Sequence, residues 1–113
     1  MAGQVPNFTD SDFDNEVLRS PIPVVVDLWA DWCAPCRALA PTIEALSREL
    51  AGTIKIGKLD ITANPQTPGK YGVTAIPTIL MFNNGKLVGT LIGGGKTAAD
   101  FKREFTKAFG VSV

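Results

Sequence analysis

The chain has 113 residues, 45% of them hydrophobic and 19% charged, which suits one buried core and reads as a single globular domain over 1–113. Its 11 basic and 11 acidic residues cancel, and no segment gathers one sign, so the electrostatic footprint of nucleic-acid or anionic-membrane binding is absent. Histidine is absent too, which excludes Ser-His and Cys-His catalytic pairs and imidazole metal ligands.

The stretch from Met1 to Phe8 has neither a basic start nor an apolar centre, so nothing marks the chain for export and the expected location is the cytoplasm. Thr9-Asp10-Ser11-Asp12 has the pattern of a capping box, which opens a first helix with Phe13, Val17 and Leu18 on one face. Pro21 stops it. Val24 to Trp29 is β-branched and apolar, a central strand interrupted only by Asp27. A helix follows from about Cys33, with Leu39, Ile43, Leu46 and Leu50 on one stripe, Pro41 inside it as an expected kink, and Gly52 as its end. A second strand runs from Thr53 to about Ile61, then a short Pro- and Gly-broken helix over Asn64 to Tyr71. Thr78 to Phe82 pairs with Lys86 to Ile92 through the hairpin signal Asn84-Gly85; the longest apolar run, Ile79 to Phe82 with its neighbours, is far too short to span a bilayer. Phe101, Phe105 and Phe109 mark the inner face of a last helix. Strand–helix–strand order implies a parallel crossover, and the hairpin adds an antiparallel pair. The expected architecture is α/β: a central mixed β-sheet flanked by helices on both faces.

The only two cysteines stand three positions apart in Trp32-Cys33-Ala34-Pro35-Cys36, where a strand hands over to a helix. The first turn of a helix carries unpaired N–H groups and a partial positive charge, both of which favour a thiolate over a thiol. Such a setting lowers a cysteine's pKa by roughly one to several units from about 8.5. Cys33, at the helix start, is therefore the expected nucleophile, and Cys36, one turn further in, the expected resolving thiol. Three blander readings compete. A structural staple enclosing two residues would stabilise by only about 2 kcal/mol through loop entropy, against nearly 5 for a hundred-residue loop. A zinc site wants about four ligands, which one chain with two thiols and no histidine lacks unless two copies share the metal. Inert core cysteines would sit oddly in a tight turn.

Asp27 lies in a run of buried-type residues, where an unpaired carboxylate is costly; its pKa should rise, which suits a proton acceptor near neutral pH. The alternative is a solvated Asp at a strand edge. Lys58 shares strand parity with Ile54 and Ile56, so it should point to the apolar face and seek a carboxylate, with Asp27 as the candidate; otherwise the strand ends first and Lys58 is exposed. Ile76–Pro77 precedes a strand, and the residues alone favour an ordinary trans bond. Trp29 reads as packing beside the dithiol.

Trp29-Ala30-Asp31-Trp32-Cys33-Ala34-Pro35-Cys36-Arg37 resembles the active-site segment of thioredoxins. Lys58-Leu59-Asp60, Tyr71-Gly72-Val73, Ile76-Pro77-Thr78 and Asn84-Gly85 follow in matching order, so the resemblance covers nearly the whole chain. The depressed thiol pKa is itself documented in thioredoxins, so its size comes from that family and not from this sequence. The resemblance implies a thioredoxin fold, and a protein-disulfide reductase that works through Cys33 and Cys36 with Asp27 beneath Cys36 taking its proton. It implies a cis Pro77 facing the dithiol, with the Ile76 backbone left to pair with an extended substrate. It also implies a flat docking patch formed by Trp32, Ala34, Pro35, Ile76 and Gly93. A separate thioredoxin reductase, NADPH-linked or ferredoxin-linked, would regenerate the dithiol; the chain has no Gly-rich nucleotide loop, and no bound cofactor is expected of this monomer. Two rivals differ in direction or class. A secretory oxidase or isomerase would more often carry His between the cysteines, where Ala34-Pro35 stands here, and a non-catalytic binding subunit would use the same surface without the thiols. The chain departs from the family pattern at Ala34, where thioredoxins usually carry Gly. Ile92-Gly93-Gly94-Gly95-Lys96 is also glycine-rich and one residue longer than usual.

Overall fold

The computed structural model describes residues 5–113; residues 1–4, part of the stretch read above for export signals, lie outside the described residues. Three consecutive valines, Val24–Val26, favour extended backbone and suit burial on both faces. They open β2 (Val24–Trp29), the middle strand of a five-stranded sheet whose other members are β1 (Asn7–Phe8), β3 (Lys55–Asp60), β4 (Thr78–Asn83) and β5 (Lys86–Ile92). The spatial order is β1-β3-β2-β4-β5, with β1, β3 and β2 parallel to one another and β4 antiparallel to both of its neighbours, β2 and β5. Register places Asp27 of β2 between Lys58 of β3 and Ile79 of β4.

The period of two along each strand divides the core. Val25, Ile56, Ile79 and Met81 face α1 (Ala34–Glu49) and α3 (Ala98–Phe109), meeting Leu39, Ile43, Leu46, Phe101 and Phe105. Val24, Val26, Leu28, Leu80 and Phe82 face the other way, under Phe13, Val17 and Tyr71 near α2 (Gln66–Lys70). Phe101 and Phe105 are fully buried, each contributing about 1.5–3 kcal/mol of transfer free energy. α3 begins at a capping box in which Thr97 and Asp100 satisfy each other's backbone N–H groups.

The central elements match the sequence reading closely, and the differences sit at the edges. β1 was not expected: two residues are too few for a period-two signal, and the strand exists because β3 offers it a partner. The first helix is a π-helical turn over Asp14–Leu18, closed by an N–H of Arg19 donating to Asp14 O at 2.9 Å. Its expected capping box forms on the expected residues, Thr9 and Asp12 exchanging bonds of 2.7 and 3.2 Å. α1 runs through Pro41 and ends at Glu49, before Gly52, because the amides of Thr53 and Ile54 already turn back onto Leu50 O. The same turn shortens the second strand to Lys55–Asp60. The hairpin forms as expected, with both Asn84 (φ 53°) and Gly85 (φ 78°) left-handed, the geometry that a two-residue turn between twisted strands demands.

Gly57 shows how tightly β1 closes the sheet. A Cβ built there would lie 2.5 Å from Phe8 Cε2 and 2.8 Å from Pro6 O. Gly57→Ala should therefore destabilise by about 1–3 kcal/mol. A urea titration should show a lower midpoint at unchanged slope; an unchanged midpoint would contradict this packing.

Candidate redox site

The chain leaves β2 at Trp29 and enters α1 at Ala34 after only four intervening residues, so the cysteines are set by that turn. The Cys33 N–H donates to Ala30 O at 3.1 Å, and Arg37 reaches back from the first turn of α1 to donate to Asp31 O at 2.6 Å. Cys33 is the N-cap of α1 with an extended backbone (φ −98°, ψ 103°). Its Sγ accepts the N–H of Cys36 at 3.2 Å, so a sulfur occupies the place where a serine or aspartate oxygen caps other helices. Pro35, lacking an N–H, sits in that first turn at no cost. The two sulfurs are joined in a disulfide across Cα atoms 5.2 Å apart. Both cysteines are nearly enclosed, Cys33 at 6% exposure and Cys36 at 3%, and they pack with Ala30, Trp29, Ile61 and Ile76. Among the described residues no cluster of three or more Cys, Asp or Glu side chains forms a metal-binding group.

Asp27 is 1% exposed, and neither carboxylate oxygen has a hydrogen-bond partner among the described residues. By strand parity it lies on the face covered by α1, one repeat nearer the dithiol than Val25. Burial pushes its carboxyl up from 3.8 to about 6, against the opposing pull of the Lys58 charge. Lys58 is half-buried on the strand face that its parity predicts. It makes no contact ion pair with Asp27: its ammonium stands 4.6 Å above the centre of the Trp29 ring and acts on the carboxylate across space. Trp29 is half-buried beside the site, its indole N–H enclosed without a partner.

Ile76–Pro77 is cis, and Pro77 is buried. Among the described residues the Ile76 amide and carbonyl have no backbone partner. Trp32 is 69% exposed, and Ala34 and Pro35 are exposed with it. Gly93 is half-buried, tied by its N–H to Pro77 O at 2.8 Å. Gly94, part of the glycine-rich run but not among the expected docking residues, also borders the patch: a Cβ there would stand 3.5 Å from Pro35 Cβ and 4.0 Å from Pro77 Cγ. Between Trp32 and Ile76 lies an apolar groove of about 360 Å³, walled also by Ile61, Pro68, Val73, Thr74 and Ala75. Sequence reasoning missed most of that wall. Val73-Thr74-Ala75 could have been found as the approach to Ile76-Pro77, whereas nothing in the pattern points to Pro68.

The family model for thioredoxin matches residues 4–107. A thioredoxin of Rickettsia prowazekii is 52% identical over 89 residues, covering 79% of this chain and 85% of the relative. One from Streptomyces clavuligerus is 48% identical over 99 residues, covering 88% and 92%. Thioredoxin C-2 of Corynebacterium nephridii is 46% identical over 93 residues, covering 82% and 86%. With the strand order, the cis proline and the helix-capping dithiol already in place, these matches settle the family: the chain belongs to the thioredoxins, thiol–disulfide oxidoreductases.

Proposed function

We propose that this protein-disulfide reductase works with Cys33 as nucleophile, Cys36 as resolving thiol and Asp27 as the acceptor of the Cys36 proton. The observation that carries the reading is the bond from the Cys36 N–H to Cys33 Sγ at the open end of α1, which favours negative charge on that one sulfur. In the reduced protein the Cys33 thiolate attacks one sulfur of a client disulfide. A Cys33–client S–S bond forms, the client S–S bond breaks, and the departing client thiolate takes a proton from water. Cys36 then gives its proton to Asp27 and attacks Cys33 Sγ. The mixed disulfide breaks, the client leaves with both sulfurs reduced, and two electrons have passed from the dithiol. The product is the internal disulfide present in the structure.

Lys58 and Trp29 act through Asp27, the ammonium drawing the carboxylate toward its charged, proton-accepting form. Clients lie across Trp32, Ala34, Pro35 and Gly93, with an extended segment pairing to the unpartnered Ile76 backbone beside Pro77. Electrons return from a thioredoxin reductase, of which the NADPH-linked kind is the one we propose over a ferredoxin-linked one. The one chain carries both thiols and the acceptor, so it works as a monomer and as the single domain 1–113. Using its two cysteines as a reagent suits the reducing cytoplasm. No helix of the described residues is long and apolar enough to cross a membrane. The oxidase or isomerase reading has no support at Ala34-Pro35, which places no charge between the sulfurs.

Cys36→Ser should accumulate a covalent adduct with a disulfide-bearing client, joined through Cys33 and released by dithiothreitol. Mass spectrometry of the trapped species checks it; no adduct, or one through another route, overturns the assignment of roles.

A further inference from the structure

The groove wall hangs on a residue far away in sequence. α2 is five residues long, begins after Pro65, and has no side-chain cap from its own flank. Its first N–H groups would be orphaned if Asp10 did not reach across from the loop after β1. Asp10 Oδ2 accepts the N–H of Gln66 at 3.0 Å, and Oδ1 accepts both the N–H of Thr67 at 2.9 Å and its hydroxyl at 2.7 Å. The Asp10 backbone N–H donates in turn to Asn64 Oδ1 at 2.9 Å, and the reciprocal Thr9–Asp12 bonds hold the loop that presents it. Thr67 is 5% exposed, so little water is at hand to replace the carboxylate.

Thr67 and Pro68 are also where the wall is attached. The N–H of Tyr71 donates to Thr67 O at 3.2 Å, and the N–H of Val73 donates to Pro68 O at 2.9 Å. Pro68 and Val73 both line the groove beside Trp32, and the chain runs on from Val73 through Thr74 and Ala75 to Ile76. A fixed Asp10–Thr67 link thus sets where Val73 stands, and through it the approach to Ile76. We infer that Asp10 is a positioning residue for client docking, holding α2 so that the wall opposite Trp32 is preformed when a protein disulfide arrives. It touches neither client nor sulfur. The inference rests on the docking reading given above. Preforming the wall lowers the ordering cost of binding an extended protein segment, and matters little to a small disulfide that needs to reach only the Cys33 sulfur and not the groove.

Asp10→Ala and the milder Asp10→Asn, which keeps one acceptor oxygen, test this against Trp32→Ala. Each reduced protein is assayed with insulin and with 5,5′-dithiobis(2-nitrobenzoate), and amide hydrogen exchange is followed over 66–76. The expected result is a several-fold higher KM for insulin in Asp10→Ala, with kcat and the small-disulfide rate within about twofold of the parent. Asp10→Asn should fall between, and exchange should accelerate locally over 66–76. Faster exchange without a KM change, or equal slowing on both substrates, overturns the proposal. If Asp10→Ala unfolds, the same comparison with Asp10→Asn decides. Trp32→Ala separates the two layers: a raised insulin KM there alongside a normal Asp10 variant sinks the positioning role and keeps the docking face. A normal KM in Trp32→Ala removes the docking reading itself.

Discussion

Cys33→Ser should reduce insulin disulfides no faster than the uncatalysed background, a loss of at least about a thousandfold in kcat/KM. The serine hydroxyl does not ionise near neutral pH, so the N–H of Cys36 would face a neutral oxygen and no nucleophile would remain at the helix start. Cys36 cannot stand in, because it lies inside the first turn of α1, nearly enclosed, and does not occupy the N-cap position that favours a thiolate. Overall structure should survive, since Ser is itself a good helix N-cap. Insulin turbidity with dithiothreitol checks the rate, and far-UV circular dichroism checks the fold. Residual turnover within tenfold of the parent would mean that another group does the chemistry.

Asp27→Ala carries the second large effect, and it acts on rate and stability in opposite directions. Burial raises Asp27 from 3.8 to about 6 in the folded oxidised chain. Between those values the folded protein holds a proton that the unfolded chain has released. Stability therefore rises as pH falls through about 6, and above it the charged, unpartnered carboxylate costs about 3 kcal/mol. Removing it should stabilise the oxidised protein at pH 8 by up to about 3 kcal/mol, less the small cavity left behind. That advantage should fade toward pH 4, where the parent is neutral at this position. Turnover should drop about tenfold at pH 7, since general-base help is lost, and the rise in rate through about pH 6 should vanish from the profile. Urea unfolding at pH 8 and pH 4, with a pH–rate series on both proteins, measures each part. A variant no more stable at pH 8, or one with the parent's pH profile, would take Asp27 out of this role.

Asp27 was legible because a charge inside Val24–Trp29 contradicts its neighbours, and the structure leaves it buried and unpaired. The dithiol was legible for a similar reason, since spacing and helix start coincide. Long periodic elements, such as the Phe101–Phe109 face, declare themselves through repetition. Lys58 was half legible: parity gave its face, but the Trp29 ring that holds its ammonium lies on another strand. Asp10 shows the limit most clearly. Its sequence pattern speaks of a local cap, whereas its carboxylate serves Gln66 and Thr67 across the fold. No window along the chain contains both ends of that bond. β1 and the π-helical turn escaped for the same reason, being short pieces shaped by what they pack against.

The pH dependence of alkylation at Cys33 in the reduced protein, followed with iodoacetamide and located by mass spectrometry, bears most directly on the whole account. A sulfur capping α1 should react with a midpoint at least about one unit below the free-thiol value of about 8.5, with Cys36 unmodified over the same range. A midpoint at the free-thiol value, or faster labelling of Cys36, would contradict it.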